Sequence, residues 1–254
     1  LDRLDTGKLL TDAARHLAGG PRTFEALRDL LAADVPDADE RAMGFVVRCL
    51  LPLVQVPTDD PWGFPGAAEF TAAAPWLGRP LASDPDPSPL VRRYLAAFGP
   101  ASVTDVQTFT GLKSLRPVLD AMRPELLSFR DERKRELFDL PGAPRPDPDT
   151  PAPPRFLPDF DSLVLAHDDR GRLIDDAHRP AIYLSRNLRV LPTFTLDGRI
   201  AGTWQAERKK AAATLVLAPF AALGKPQRES LEPEALGLLR FLEPGATSLA
   251  LRID

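Results

Sequence analysis

Two groups of residues in this chain have types and spacings that could do chemistry. The first is acidic: Asp159, Asp161, His167, Asp168, Asp169 and Arg170 fall within one short stretch. Paired carboxylates beside an imidazole can hold a metal ion or activate water. The same stretch also reads as structure, with His167-Asp168-Asp169-Arg170-Gly171 as a polar turn and Asp161 as a cap or brace, and that reading outweighs catalysis. The second group is cationic. Lys113, Arg116 and Arg123 flank or ride one helical pattern, Arg130, Arg133, Lys134 and Arg135 crowd a hairpin tip, and Arg208, Lys209 and Lys210 follow Trp204 closely. Such side chains anchor a duplex through its phosphates without reading its bases. Double-stranded DNA is therefore the expected partner, no metal or cofactor is expected, and no catalytic residue is assigned. His16 belongs to a helix edge and His178 to a loop. No phosphate-cradling glycine loop and no persuasive Ser/His/Asp order is present.

The charge of the whole chain is −4, which argues against indiscriminate polyanion binding, but the total hides a gradient. Residues 1–88 carry a net −6 and residues 89–140 a net +2. Residues 179–210 hold seven basic side chains against Asp197 and Glu207, a net +5. Local fields steer a polyanion more than totals do. The single cysteine, Cys49, excludes an internal disulfide and reads as buried filler among Val46, Val47, Leu50 and Leu51. No apolar run approaches the length that spans a bilayer, and no secretory signal is visible, so a cytoplasmic protein is expected. The sequence opens on Leu1 rather than methionine, which suggests an upstream piece.

The elements that must position these residues follow a repeated plan. Gly20-Pro21 and Gly99-Pro100 lie 79 positions apart, and each is preceded by a helical stretch and followed by a hydroxyl residue and a second helix. In the first copy, Leu9, Leu10, Ala13, Ala14 and Leu17 make one stripe. Thr23 caps a helix burying Phe24, Leu27, Leu30 and Leu31, and Asp37 or Asp39 caps a third carrying Ala42, Phe45, Val46, Cys49 and Leu50. Leu53–Val56 and Trp62–Phe64 would form a hairpin around a turn at Pro57–Pro61. In the second copy, Leu90, Val91, Tyr94, Leu95 and Phe98 line the opening helix, and Ser102 with Asp105 resembles a capping box. Ser114 would cap a helix with Leu115, Val118, Leu119 and Met122 inward and Pro117 in its first turn. Leu126–Phe129 and Glu136–Leu140 would pair. Three helices closed by a hairpin is the layout of a winged helix.

Linkers at 78–89 and 141–155 separate the parts, the second with seven prolines in fifteen positions. Beyond them Ser162–Ala166, Ala181–Ser185, Val190–Leu196, Arg199–Gln205 and Ala213–Leu217 read as strands, with a two-residue turn at Asp197-Gly198. A helix from Ser230 to about Glu243, with Pro233 in its first turn, and a strand at Thr247–Ile253 complete the chain. The expected fold is α+β: winged-helix units at 1–79 and 89–140, then a small β-barrel with one helix at 156–254.

Several phrases together carry a resemblance. They are Leu53-Val54-Gln55-Val56-Pro57 with Trp62-Gly63, the run Leu90–Pro100, Arg155-Phe156-Leu157-Pro158-Asp159-Phe160-Asp161, and Asp197–Trp204. The chain resembles actinobacterial winged-helix DNA-binding proteins related to the AlkZ and YcaQ DNA glycosylases. The resemblance implies tandem winged helices and a β-barrel around a DNA-binding concavity, in a family whose glycosylase members remove alkylated bases. It also implies a departure. The family's Gln-x-Gln (or Gln-x-Asp) motif, thought to place the attacking water, belongs to an N-terminal winged helix. Here glutamine stands only at 55, 107, 205 and 227, no two of them two apart. The alternatives are a winged-helix regulator or interaction module without catalysis and, behind it, a metal-dependent hydrolase at Asp161 and His167.

Overall fold

Asp5 opens the first helix by accepting the N–H of Lys8, and Gly19 ends it, so α1 runs Thr6–Ala18. In this computed structural model, residues 5–35, 38–59, 67–83, 86–186 and 188–254 are described. They divide into two compact units, Leu1–Pro85 and Asp86–Asp254.

In the first unit, α1 is followed by the two-residue strand β1 (Arg22–Thr23), α2 (Phe24–Asp34), α3 (Glu40–Leu50), β2 (Leu53–Gln55), β3 (Glu69–Ala72) and the short α4 (Ala73–Leu77). Thr23 and Asp39 cap α2 and α3 through the amides of Ala26 and Ala42, while Asp37 lies outside the described residues. Leu9, Ala13, Leu17, Leu27, Leu31, Met43, Val46 and Val47 form the core. Each fully buried aliphatic side chain contributes about 1.5–3 kcal/mol. One expectation turns over here. The inward face of α3 is Met43, Val46 and Val47, and Phe45, Cys49 and Leu50 are exposed. Helical spacing allowed either register, and Met43 with Val46 and Val47 meets α1 and α2. The strand that returns to β2 is β3, which also pairs with β1 to give the order β1-β3-β2. The expected return strand at Trp62–Phe64 lies outside the described residues.

The second unit opens with α5 (Ser88–Phe98), α6 (Val103–Thr110), α7 (Arg116–Met122), a turn of 3-10 helix at Arg123–Glu125, and the hairpin β4 (Leu127–Arg130) and β5 (Glu136–Asp139). Its plan parallels the first unit's. Arg22, directly after Pro21, pairs with β3, and Ala101, directly after Pro100, bridges to Phe138 of β5. Glycine is required at position 99, because a Cβ there would collide with the Asp139 carboxylate and the Leu95 carbonyl. The capping box forms as expected, with Ser102 and Asp105 each accepting from the other's amide. Ser114 does not cap α7. It has φ +59°, and the Leu115 amide at the helix start is instead satisfied by Gln107 Oε1 at 2.9 Å.

The remainder is β6 (Arg155–Leu157), α8 (Ser162–Leu165), a 3-10 turn at Asp176–His178, α9 (Arg179–Ile182), β7 (Tyr183–Leu184), β8 (Arg189–Val190), β9 (Thr193–Leu196), β10 (Arg199–Lys209), β11 (Ala212–Pro219), α10 (Lys225–Leu242) and β12 (Ser248–Ile253). The expected strand at Ser162–Ala166 is a helical turn, because Asp161 caps it through the Leu163 amide at 2.8 Å. A short apolar run does not settle its own period. Ala181–Ser185 is likewise part helix, and Val190–Leu196 breaks into β8 and β9. The helix expected from Ser230 starts five residues earlier, since Gln227 accepts the Gly224 amide at 2.8 Å. Pro233 therefore sits inside α10 rather than in its first turn.

Five strands form one sheet in the order β12-β11-β10-β9-β6. β12 joins β11 in parallel, while the other neighbours are antiparallel. The expected barrel is thus an open sheet among the described residues: β6 and β12 are its edges, and α10 covers one face through Leu231, Ala235 and Leu239. Asp197 and Gly198, with φ +48° and +74°, form the tight turn between β9 and β10 that their types foretold. Gly202 sits beside a register shift in β10, where a Cβ would lie 2.5 Å from both the Ala218 carbonyl and the Phe194 ring. Gly202→Val is expected to lower stability by about 2–4 kcal/mol, read from the urea midpoint; a loss below about 0.5 kcal/mol would show that the sheet opens freely there. Among the described residues no helix is long and apolar enough to cross a membrane.

Candidate nucleic-acid interface

The cations singled out in the sequence fall into two classes once their partners are known. Lys113 is exposed in the loop before α7, and among the described residues it has no ion pair. Arg116 starts α7 and reaches Asp120 at 2.9 Å and Glu136 at 3.2 Å. Arg123, at the far end, holds the same two carboxylates at 2.9 and 2.6 Å, and its guanidinium lies 5.1 Å from the centre of the Phe138 ring. These bonds keep the Glu136 and Asp120 carboxyls below the usual range, Arg123 acting most on Glu136 and Arg116 on Asp120. The two arginines thereby lash α7 to the hairpin, and each retains further N–H donors for a phosphate.

The hairpin tip is organised by Asp131. Its Oδ1 accepts the amides of Arg133 (3.0 Å) and Arg135 (2.8 Å), and its Oδ2 takes Arg135 Nε at 2.6 Å. Burial would raise its pKa, but these bonds to Arg135 and Arg133 hold it below the ordinary value. Lys134 adopts φ +61°, exposed at the apex with no ion pair among the described residues. Arg130 donates to the Lys134 carbonyl at 3.3 Å. Arg133 and Arg135 then converge on one oxygen, Asp169 Oδ2, at 2.8 and 2.9 Å.

That contact explains the acidic stretch. Its members do not converge as a metal or general-base site. Asp161 caps α8, and Asp159 faces Arg189 at 3.8 Å. His167 Nε2 bonds the Phe98 carbonyl at 3.0 Å, and the Asp168 amide donates to Asp105 at 2.9 Å. Tyr94 donates its hydroxyl to the Ala166 carbonyl at 2.6 Å, and burial raises its pKa. Residues 166–169 are therefore the strip on which the helices and hairpin of the second unit dock. The expected polar turn is present, with the Gly171 amide bonded to Asp169 Oδ1 at 3.0 Å. Among the described residues no group of three metal-ligating side chains converges. A cavity of about 340 Å³ opens beside the strip, lined by Phe98, Asp105, Arg135, His167, Asp169 and Arg170 among others.

In the β region, Arg208 is committed: it contacts Glu243 at 2.7 Å and the carbonyls of Lys210 and Gly245. Lys209 and Lys210 at the β10–β11 turn are exposed, without ion pairs among the described residues. Sequence reasoning saw every one of these cations but missed the partners of the arginines. Asp169 lies more than thirty residues from Arg133 and Arg135, and no spacing rule links them. In the first unit, Arg48 lies 4.0 Å over the Phe24 ring. His16 Nε2 meets Asp34 at 2.6 Å, and His178 stacks on Phe220.

A family model described as DNA glycosylase AlkZ-like matches residues 1–241. Among solved structures, the Streptomyces sahachiroi DNA glycosylase AlkZ is similar, with a TM-score of 0.69 and 24% identity. The likeness covers 98% of this chain and 69% of that one. None of the curated proteins compared matches the chain.

Proposed function

Because the chain belongs to the AlkZ-like DNA glycosylase family, we propose that it grips double-stranded DNA and serves in the repair of alkylated DNA. The observation that carries this reading is the extent of the family match, residues 1–241, which takes in the first compact unit, most of the second and every cation considered above. In this reading residues 1–79 and 89–140 are tandem winged-helix units and residues 156–254 a third, β-rich domain. The protein works in the cytoplasm, where its target lies.

The contacts to DNA come from Lys113, Arg116, Arg123, Arg130, Arg133, Lys134 and Arg135 in the second winged helix, and from Arg208, Lys209 and Lys210 on the sheet. Lys113, Arg130, Lys134, Lys209 and Lys210 lead, because among the described residues no carboxylate pairs with them. Base release also needs a placed water and stabilisation of charge at the sugar, and we assign these to none of the four glutamines. Gln107 and Gln227 use their side-chain oxygens on the Leu115 and Gly224 amides. Gln55 lies in β2 and Gln205 in β10.

Binding of a labelled duplex across a salt series tests the grip. Affinity is expected to fall more than about tenfold between roughly 50 and 200 mM salt, with a logarithmic slope of about 0.9 per phosphate contacted. Absent or salt-insensitive binding overturns the reading. An alkylated duplex then separates repair from regulation. Loss of the modified base, seen as alkali-labile strand breaks, is the expected result. Salt-sensitive binding that leaves the modified base in place would instead assign the chain to the regulator class.

A further inference from the structure

On the docking strip, the Asp169 carboxylate faces the hairpin tip and joins two of its arginines. Its Oδ2 receives Arg133 and Arg135 together, at 2.8 and 2.9 Å. Its Oδ1 closes the local turn with the Gly171 amide. The tip does not need Asp169 to fold. Asp131 holds the amides of Arg133 and Arg135, and the tip closes on itself through Asp131 N to Arg135 O at 3.1 Å and Lys134 N to Asp131 O at 2.9 Å. Two guanidinium groups sharing one anionic oxygen reproduce the arrangement by which arginines hold a non-bridging phosphate oxygen. Arg133 is 70% exposed and Asp169 23%, so a ligand reaches the pair from solvent.

We infer that the Asp169 carboxylate stands in for a DNA phosphate between Arg133 and Arg135, masking these cations until a duplex displaces it. The inference rests on the DNA-binding reading above and names its regulation. On its Arg133 side the pair is open to solvent and therefore weak, so a backbone phosphate competes with it, whereas an isolated weak anion gains little. Asp169 would then act as a threshold, favouring ligands that present several phosphates at once.

Asp169→Asn tests this, since the amide oxygen can keep the Gly171 bond while the charge is lost. The variant is expected to bind duplex DNA about threefold to fivefold more tightly, the range that an exposed ion pair allows, with a steeper salt dependence. Asp175→Asn is the control for general charge. It removes an equally close pair, Asp175 with Arg199 at 2.6 Å, and should change affinity less than about twofold. Adding Asp169→Asn to Arg133→Ala/Arg135→Ala should have no effect beyond that of the control, because the masked cations are gone. Equal thermal midpoints for wild type and Asp169→Asn would show that folding is not the cause. If the wild type binds and Asp169→Asn behaves like Asp175→Asn, or binds more weakly, the masking idea fails while the DNA reading stands. If neither the wild type nor Asp169→Asn binds, both fall. If only Asp169→Asn binds, a duplex does not displace the carboxylate in the wild type, and the threshold idea falls with the DNA reading.

Discussion

Asp105→Ala is expected to destabilise the second unit by about 3–5 kcal/mol, the range for breaking a buried charge network by removing one partner. Asp105 is buried, and its carboxylate accepts three hydrogen bonds: the Ser102 amide at 2.8 Å, the Ser102 hydroxyl at 2.7 Å and the Asp168 amide at 2.9 Å. The first two close the start of α6, and a lost cap alone costs about 1 kcal/mol. The third ties α6 to the docking strip. Alanine leaves these donors beside a cavity, and bonds to a charged acceptor are worth about 1.5–3 kcal/mol each. Asp105→Asn should lose less, because one oxygen remains, although its NH2 group must then face another donor. Urea unfolding of the three proteins reads the series directly. A loss below about 1 kcal/mol for the alanine variant would mean that the strip is held elsewhere, by Tyr94 and His167. The loss should also reach the interface, since Asp168 stands next to Asp169.

Asp105 shows what was legible in the sequence and what was not. Its role in the capping box follows from local spacing, Ser102 to Asp105, and so do the Asp197-Gly198 turn, Gly-Pro duplication and hairpin strands of residues 127–139. All depend on neighbours in the chain. Its bond to Asp168 is tertiary and left no trace. The same divide runs through the rest. Phe45, Cys49 and Leu50 occupy plausible helical positions, but which stripe of α3 turns inward depends on α1 and α2. Val164 reads equally well in a strand or a helical turn, and Asp161 decides. A closed barrel was a natural expectation from alternating strands, yet closure depends on which edges meet, and β6 and β12 remain edges. At the interface, residue type gave the cations but not their free charge. Arg116 and Arg123 serve Glu136 and Asp120, whereas Lys113 and Lys134 do not serve any carboxylate among the described residues.

The largest expected effect on binding comes from Arg133→Ala/Lys134→Ala/Arg135→Ala. Each cation that leaves a phosphate lowers the salt slope by about one, so the triple change should flatten it by about 2–3 and weaken duplex binding about 10- to 100-fold near 0.1 M salt. The variant is interpretable because the tip is built by backbone groups. Asp131 keeps the amides of residues 133 and 135 as donors after all three side chains are trimmed. It loses only the Arg135 guanidinium, which leaves a carboxylate side chain just 4% exposed with one partner fewer. Arg133→Ala/Lys134→Ala alone avoids that cost and should show most of the effect, because Lys134 is at the apex and Arg133 is the more exposed arginine. Lys209→Ala/Lys210→Ala tests the sheet separately, and a further flattening there would place both surfaces on one duplex. Affinity and salt slope unchanged in the triple variant, with the fold intact, would remove the hairpin tip from the interface. The phosphate contacts would then come from the remaining cations, led by Lys113, Arg130, Lys209 and Lys210, which no carboxylate among the described residues offsets.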